Sequence, residues 1–412
     1  MGIIVDIKGR EILNAKGRPT VEAEVITSDN LIAVASVPSG TSRGEHEAFE
    51  LYDKEQRHQG YGVRKAANNV STLIKERLVG MDVSDQTAID AALCTLDGTS
   101  DKSSLGANAI LPVSLAVAKL GAMINKQPLY SYINLLFGIE KIKMPNILAT
   151  VIAGGLYSSS GLEFEDYMYL LQDFNTFADQ LEAIVELRRV LQEIITKKYG
   201  PVLEDGGALA PPLRNSEEAF DFLLEAARIT GYENNVAIGL DVAASGLFDK
   251  TIDKYKLGAN LLSKEELIDR YVAICEAYPL LFLEDGLEEH DFIGFNELKQ
   301  RLSKLQIVGD DLFCTNPSLI KKGIAHDSAN TLLLKVNQIG TLSEALEAAR
   351  LASYNDLDVV VSLRSGETEE TFIADLAVGI GAKQIKLGSP VKLERNVKYN
   401  RLMRIAQEIE GV

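Results

Sequence analysis

At 412 residues, 46% hydrophobic and 25% charged, the chain has material for a large core and exceeds one ordinary domain, which excludes disorder and predicts two unequal domains. A formal net charge of −17 with a pI near 4.8 excludes a polyanion such as DNA as partner, because no segregated basic patch offsets the repulsion. Three widely spaced cysteines, Cys94, Cys275 and Cys314, form no CxxC and exclude a disulfide framework or a zinc site.

The segment Met1-Gly2-Ile3-Ile4-Val5-Asp6 has no basic n-region, no apolar h-segment and no small hydroxyl residue at position 6. Together with the reducing-compartment cysteines, this predicts a cytoplasmic protein. Strand alternation follows in Thr20–Val25 and Ile32–Val37. Between them and the next periodic stretch lies Pro38-Ser39-Gly40-Thr41-Ser42-Arg43-Gly44, too rich in Gly and Ser for a plain connector, which reads as a mobile lid. Helical spacing covers Val63–Val79, Asp85–Leu96 and Leu105–Leu136. The last is interrupted by Asn108, Pro112 and Lys119, so it predicts no membrane span. Strands followed by helices predict a small α+β domain over residues 1–137.

From 138 to 412 the rhythm changes to short apolar runs that end in polar residues and are followed by helical stretches. The run ends are Asp241, Glu284, Asp310, Lys335, Arg364 and Lys386, with intervals of 22 to 29 residues after the first. That spacing fits one strand, helix and loop per unit and predicts a closed α/β barrel, with an open doubly wound sheet as the alternative. Ser263-Lys264-Glu265-Glu266 predicts a capping box, and Thr341 a helix start. In either architecture the residues at strand C-termini converge on one mouth.

A single acid at a strand end is commonly a helix cap, but Asp241, Glu284 and Asp310 in register would repel strongly unless a hard cation lay between them, and Mg²⁺ suits all-oxygen donors. Lys335 would sit beside that ion and near Lys386, an environment expected to depress its pKa toward that of a general base. Arg364-Ser365-Gly366, expected at the start of a helix, offers a fork and a hydroxyl for an anion, preferably phosphate. Without Walker, GxGxxG or GxSxG motifs, nucleotide and serine-hydrolase readings have no support.

Over nearly its whole length the sequence resembles the enolase family. The resemblance is carried by Gly17-Arg18-Pro19-Thr20-Val21-Glu22, Leu240-Asp241-Val242-Ala243-Ala244-Ser245, Val308-Gly309-Asp310-Asp311-Leu312, Leu334-Lys335-Val336-Asn337-Gln338 and Arg364-Ser365-Gly366-Glu367-Thr368-Glu369. It implies an enolase-type barrel with a capping domain and a Mg²⁺-dependent, reversible dehydration of 2-phosphoglycerate to phosphoenolpyruvate. Lys335 would be the base, Asp241, Glu284 and Asp310 would hold the metal, and Ser39 would close over a second ion. Arg364 and Ser365 would take the phosphate and Lys386 the carboxylate side. A homodimer or ring of dimers is implied as well.

The departures cluster on the acid side. Asp205 stands in the proton-donor position, in Leu203-Glu204-Asp205-Gly206-Gly207, where the family has glutamate. Glu165-Asp166 replaces a glutamine–glutamate pair that assists the donor, and Tyr157 and Leu363 replace two substrate-side histidines. Each Glu→Asp change withdraws a carboxyl by about one bond length, and a misplacement of ~1 Å can cost ~100-fold. Proton abstraction is therefore expected intact and hydroxide departure altered. Two alternatives follow from that: a lyase for a related phosphorylated or phosphonate hydroxy acid, and a non-catalytic homologue that binds at a cell surface, reaching it without a signal peptide.

Overall fold

The computed structural model describes residues 2–41, 43–139, 142–156 and 158–410. Strands β1 (Ile4–Leu13), β2 (Pro19–Thr27) and β3 (Ile32–Ser36) form an antiparallel meander. Alternation in β2 turns Val21, Ala23 and Val25 inward, each fully buried. A helix from Arg64 continues through one π-helical turn, Val70–Ile74, to Leu78.

The single helix expected over Leu105–Leu136 is two, Ala107–Ile124 and Leu129–Phe137. Lys126 adopts a φ of 52°, and Pro128, which has no N–H to donate, caps the second helix. Ala107–Ile124 is long and apolar enough to reach across a bilayer, yet 83% of it is buried, and it packs on β2 and β3 as a core helix.

Gly138, at a φ of 81°, closes Leu129–Phe137. The strands that follow are β4 (Asn146–Ala153), β5 (Asp166–Leu171), β6 (Leu203–Asp205), β7 (Ala208–Ala210) and β8 (Val236–Asp241). A small side sheet, β9 (Phe248–Asp249), β10 (Lys254–Leu257) and β11 (Asn260–Leu262), precedes β12 (Leu280–Glu284), β13 (Gln306–Gly309), β14 (Thr331–Leu334), β15 (Asp358–Ser362) and β16 (Gln384–Lys386). Pairing of β16 with β4 closes eight strands into a barrel, so the open sheet is ruled out.

The barrel is not uniformly parallel. β5 runs antiparallel to both β4 and β8, while the other neighbours are parallel. Inside the barrel Leu148, Met168, Leu170, Ala237, Phe282, Val308, Leu333 and Val360 form a buried plug, so this is a packed core and not a pore. Both bonds of the capping box at Ser263 and Glu266 are present. At Thr341 only the Glu344 N–H bond forms, because the Glu344 carboxylate is taken by the Thr341 hydroxyl and by Lys102.

Candidate active site

The strand tips place the chemistry. Asp241 ends β8, Glu284 ends β12, Lys386 ends β16, and Asp310 and Lys335 directly follow β13 and β14. Each apolar run holds its strand in the barrel wall, and the polar residue that breaks the run arrives at the mouth. Asp166 reaches the same mouth from the opposite direction, as the first residue of antiparallel β5, paired in register with Asp241.

Two ammonium groups organise the carboxylates. Lys386 Nζ donates to Asp241 Oδ2 at 2.8 Å and to Glu284 Oε1 and Oε2 at 2.9 and 2.8 Å, with Asp166 Oδ2 at 3.5 Å. Lys335 Nζ is hydrogen-bonded to Asp310 Oδ2, whose other oxygen accepts from Gln338 Nε2 at 2.8 Å. Gln338 is fixed in turn by the Thr315 hydroxyl, which also accepts the Lys335 backbone N–H.

The expected depression of the Lys335 pKa refers to a lysine beside a bound ion; the protein groups by themselves act the other way. Burial pushes the ammonium down, but the Asp310 charge in contact with it wins, and the net shift is upward; Asp310 is correspondingly held low. Lys386 is driven well above the ordinary lysine range because Asp241, Glu284 and Asp166 outweigh its burial. Its acids outnumber it. Burial and the neighbouring Asp241 lift Glu284 well above the carboxylate range, and burial lifts Asp166 as well. Burial with Asp241 and Asp166 pushes Glu165 to about 8, and burial with Asp310 pushes Asp311 to about 8.

This excess of acid is the mark of a place for more positive charge. Among the described residues, Asp285, Asp310 and Asp311 bring carboxylate oxygens within 4.8 Å of one another, an acidic triad able to hold a metal ion. It overlaps the expected set only at Asp310. Both Asp285 oxygens are already engaged, accepting the Asp310 and Asp311 backbone N–H groups at 3.0 and 2.9 Å, so Asp285 serves first to shape the β13 tip.

Arg364 is buried and its guanidinium donates to both Glu47 oxygens, at 2.8 and 3.1 Å. Glu47 comes from the N-terminal meander side of the chain and was not anticipated, since the two residues are 317 positions apart. The Ser365 hydroxyl contacts the Thr41 hydroxyl at 2.8 Å and accepts the Thr41 N–H at 3.1 Å. No helix starts at Arg364-Ser365; the next begins at Phe372. The backbone of Gly366 is instead paired with Ser39 of the other domain, while Glu367 pairs with Lys398 in the last helix of the barrel domain itself. Ser39 thus sits in an interdomain bridge with its hydroxyl accepting from Asn14 at 2.8 Å, and it does not line the cavity with the acids.

Asp205 lies on a two-stranded hairpin, β6–β7, turned by Gly206 and Gly207 at φ values of 52° and 90°. It is exposed and borders the cavity. The hairpin rests on buried Arg188, which donates to the Gly207 carbonyl at 2.9 and 3.2 Å and to Glu204 at 2.9 Å. Leu363 is half-buried and also lines the cavity, as do Glu165 and Asp166. Tyr157 lies outside the described residues. Base and acid candidates therefore flank one cavity of ≈ 160 Å³, lined by Lys335, Asp310, Lys386, Asp166 and Asp205 among others.

A closed α/β barrel with acids and lysines at its strand tips, roofed by a smaller α+β domain, defines a barrel enzyme with a carboxylate–lysine centre. The family model described as "Enolase, N-terminal domain" matches residues 4–133, and "Enolase, C-terminal TIM barrel domain" matches residues 141–412. Relatives include the enolases of Methanopyrus kandleri, 45% identical over 99% of this chain and 96% of its own length, and of Pyrococcus furiosus, with the same three figures. The enolase of Methanocaldococcus jannaschii is 46% identical over 98% of this chain and 95% of its own. The chain belongs to the enolase family and is a carbon–oxygen lyase.

Proposed function

We propose that this lyase dehydrates 2-phosphoglycerate reversibly to phosphoenolpyruvate, in the cytoplasm, as a homodimer or ring of dimers, with residues 1–137 capping a barrel of residues 138–412. The observation that carries the reading is the placement of the Lys335 ammonium against Asp310 in a cavity that Asp166 and Asp205 also line.

In this reading Asp241, Glu284 and Asp310 hold Mg²⁺. The donors fit, because they already converge on ammonium groups, and burial beside other acids lifts Glu284 and the neighbouring Glu165 and Asp166 above the ordinary carboxylate range. Bound there, Mg²⁺ supplies electrostatic stabilisation of the charge that develops on the substrate carboxylate and competes with Lys335 for the charge of Asp310. Ser39 belongs to the loop that closes over the mouth. Lys335 removes the carbon-2 proton. Lys386 faces the substrate carboxylate, while Arg364 and Ser365 hold the phosphate in place of Glu47 and Thr41. Asp205 donates the proton with which hydroxide leaves as water, supported by Asp166, and Glu165 borders the leaving group.

The test separates the two halves of the reaction. With 2-phosphoglycerate and Mg²⁺, carbon-2 deuterium exchange reports the base side and phosphoenolpyruvate absorbance the acid side. Exchange faster than dehydration is the expected result, given an exposed Asp205 and an apolar Leu363. Absence of both would remove the reading.

A further inference from the structure

Arg395 has no task in the scheme above. It is 7% exposed and borders the same cavity on the Asp205 side. Its guanidinium fills the space in front of Gly206 and Gly388, and a Cβ at either glycine would collide with it; both have positive φ, at 52° and 68°. The chain therefore keeps two side chains out of the cavity wall to admit this one.

The charge is poorly matched by protein. Among the described residues Nε has no hydrogen-bond partner, Nη1 reaches only the Leu387 carbonyl at 3.4 Å, and the one ion pair is with Glu394 at 3.9 Å, with the Asp166 carboxylate feeling the charge at longer range. By contrast Lys335, Lys386 and Arg364, the other buried cations of the cavity, each sit directly on a carboxylate. A guanidinium desolvated without a closely held anion is costly, and its fork matches a carboxylate in two-point contact.

We infer that Arg395 forms an anion subsite next to the leaving-group side of the cavity, fitted to a substrate with a carboxylate on the carbon that bears the leaving hydroxyl. This rests on the proposed dehydration and extends its substrates beyond 2-phosphoglycerate to a phosphorylated hydroxy diacid. Asp166, Asp205 and Leu363 line the same cavity, and the Leu363 side chain offers no hydrogen-bond donor to compete for the added carboxylate. The balance of the reaction is unchanged. The carbon-2 proton passes to the base, the carbon-3 C–O bond breaks, hydroxide takes a proton to leave as water, and a carbon–carbon double bond forms to give the enol phosphate of a 2-oxo diacid.

The probe is O-phosphotartrate, which is 2-phosphoglycerate with a carboxylate in place of one carbon-3 hydrogen. Calorimetry on the whole protein with Mg²⁺ compares its Kd with that of 2-phosphoglycerate. Charge-assisted contacts of this kind predict ~10- to 100-fold tighter binding of O-phosphotartrate. Arg395→Gln is expected to abolish that ratio and Arg395→Lys to retain part of it. A wild-type ratio at or below one, no binding of the diacid, or a ratio undiminished in Arg395→Gln overturns the inference. Because the wild-type ratio decides alone, a variant that fails to fold does not blunt the test. Deuterium exchange in the same samples keeps the two readings apart: tight diacid binding without exchange leaves the subsite standing and sinks the base assignment, and exchange without tight diacid binding does the reverse.

Discussion

Replacing Lys386 by methionine keeps the aliphatic stem and removes one buried ammonium from three carboxylates, with hydrogen bonds of 2.8 to 2.9 Å to Asp241 and Glu284 and Asp166 at 3.5 Å. Removing one partner of a buried ion pair costs about 3–5 kcal/mol, because the remaining charge is left without compensation. If the chain melts as one unit this corresponds to a Tm lower by about 3–6 °C. The loss must depend on pH. Glu165, Glu284 and Asp166 have folded-state pKa values above their ordinary ones. Below the ordinary carboxylate pKa these acids are neutral in folded and unfolded chains alike, and the missing ammonium matters little. As pH rises toward the folded value of about 8 for Glu165, the unfolded chain has already released its protons, and the folded chain must either keep them or bear unpaired charge, so stability falls. Urea unfolding in EDTA should therefore show the variant within about 1 kcal/mol of wild type at about pH 3.5 and about 3–5 kcal/mol below it at about pH 8.5. An equal loss at both pH values would refute the reasoning.

Lys335→Ala should slow carbon-2 deuterium exchange by about 10²- to 10⁴-fold, the usual worth of a positioned base; a change within about threefold assigns the base elsewhere. Asp166→Glu, Asp205→Glu and Leu363→His combined should raise the ratio of dehydration to exchange by about 10- to 100-fold if carboxyl reach is limiting, read by absorbance and deuterium uptake on one sample. Mg²⁺ affinity should increase from pH 6.5 to 9, because Glu165 and Asp311, both at about 8, give up protons as positive charge enters; calorimetry in two buffers of different ionisation enthalpy would detect the release, and a buffer-independent heat would contradict it.

The barrel tips were legible because a charged residue that ends an apolar run is a local signal, as at Leu240-Asp241 and Leu334-Lys335. The first two barrel strands were not. β5 carries its polar residue, Asp166, at the start of the run and not at its end, since it enters the mouth from the opposite direction, and nothing local reports strand polarity. Asp205-Gly206 is a hairpin signal that the loop reading passed over. The Lys335–Asp310 contact, which sets the lysine's pKa among the protein groups, was not legible either, because it is a matter of tertiary geometry. Glu47, Gln338 and Arg188 were missed for the same reason, as residues whose partners sequence spacing does not reveal.

Glu47 on Arg364 and Thr41 on Ser365, beside the Ser39–Gly366 bridge, mean that the segment following the amino-terminal meander finishes a wall of the reaction chamber that the barrel leaves open. A barrel expressed alone would retain its plug of apolar side chains but present Arg364 to water. Substitutions that loosen the meander, far from any reacting atom, should therefore register as weakened phosphate capture before they register as unfolding.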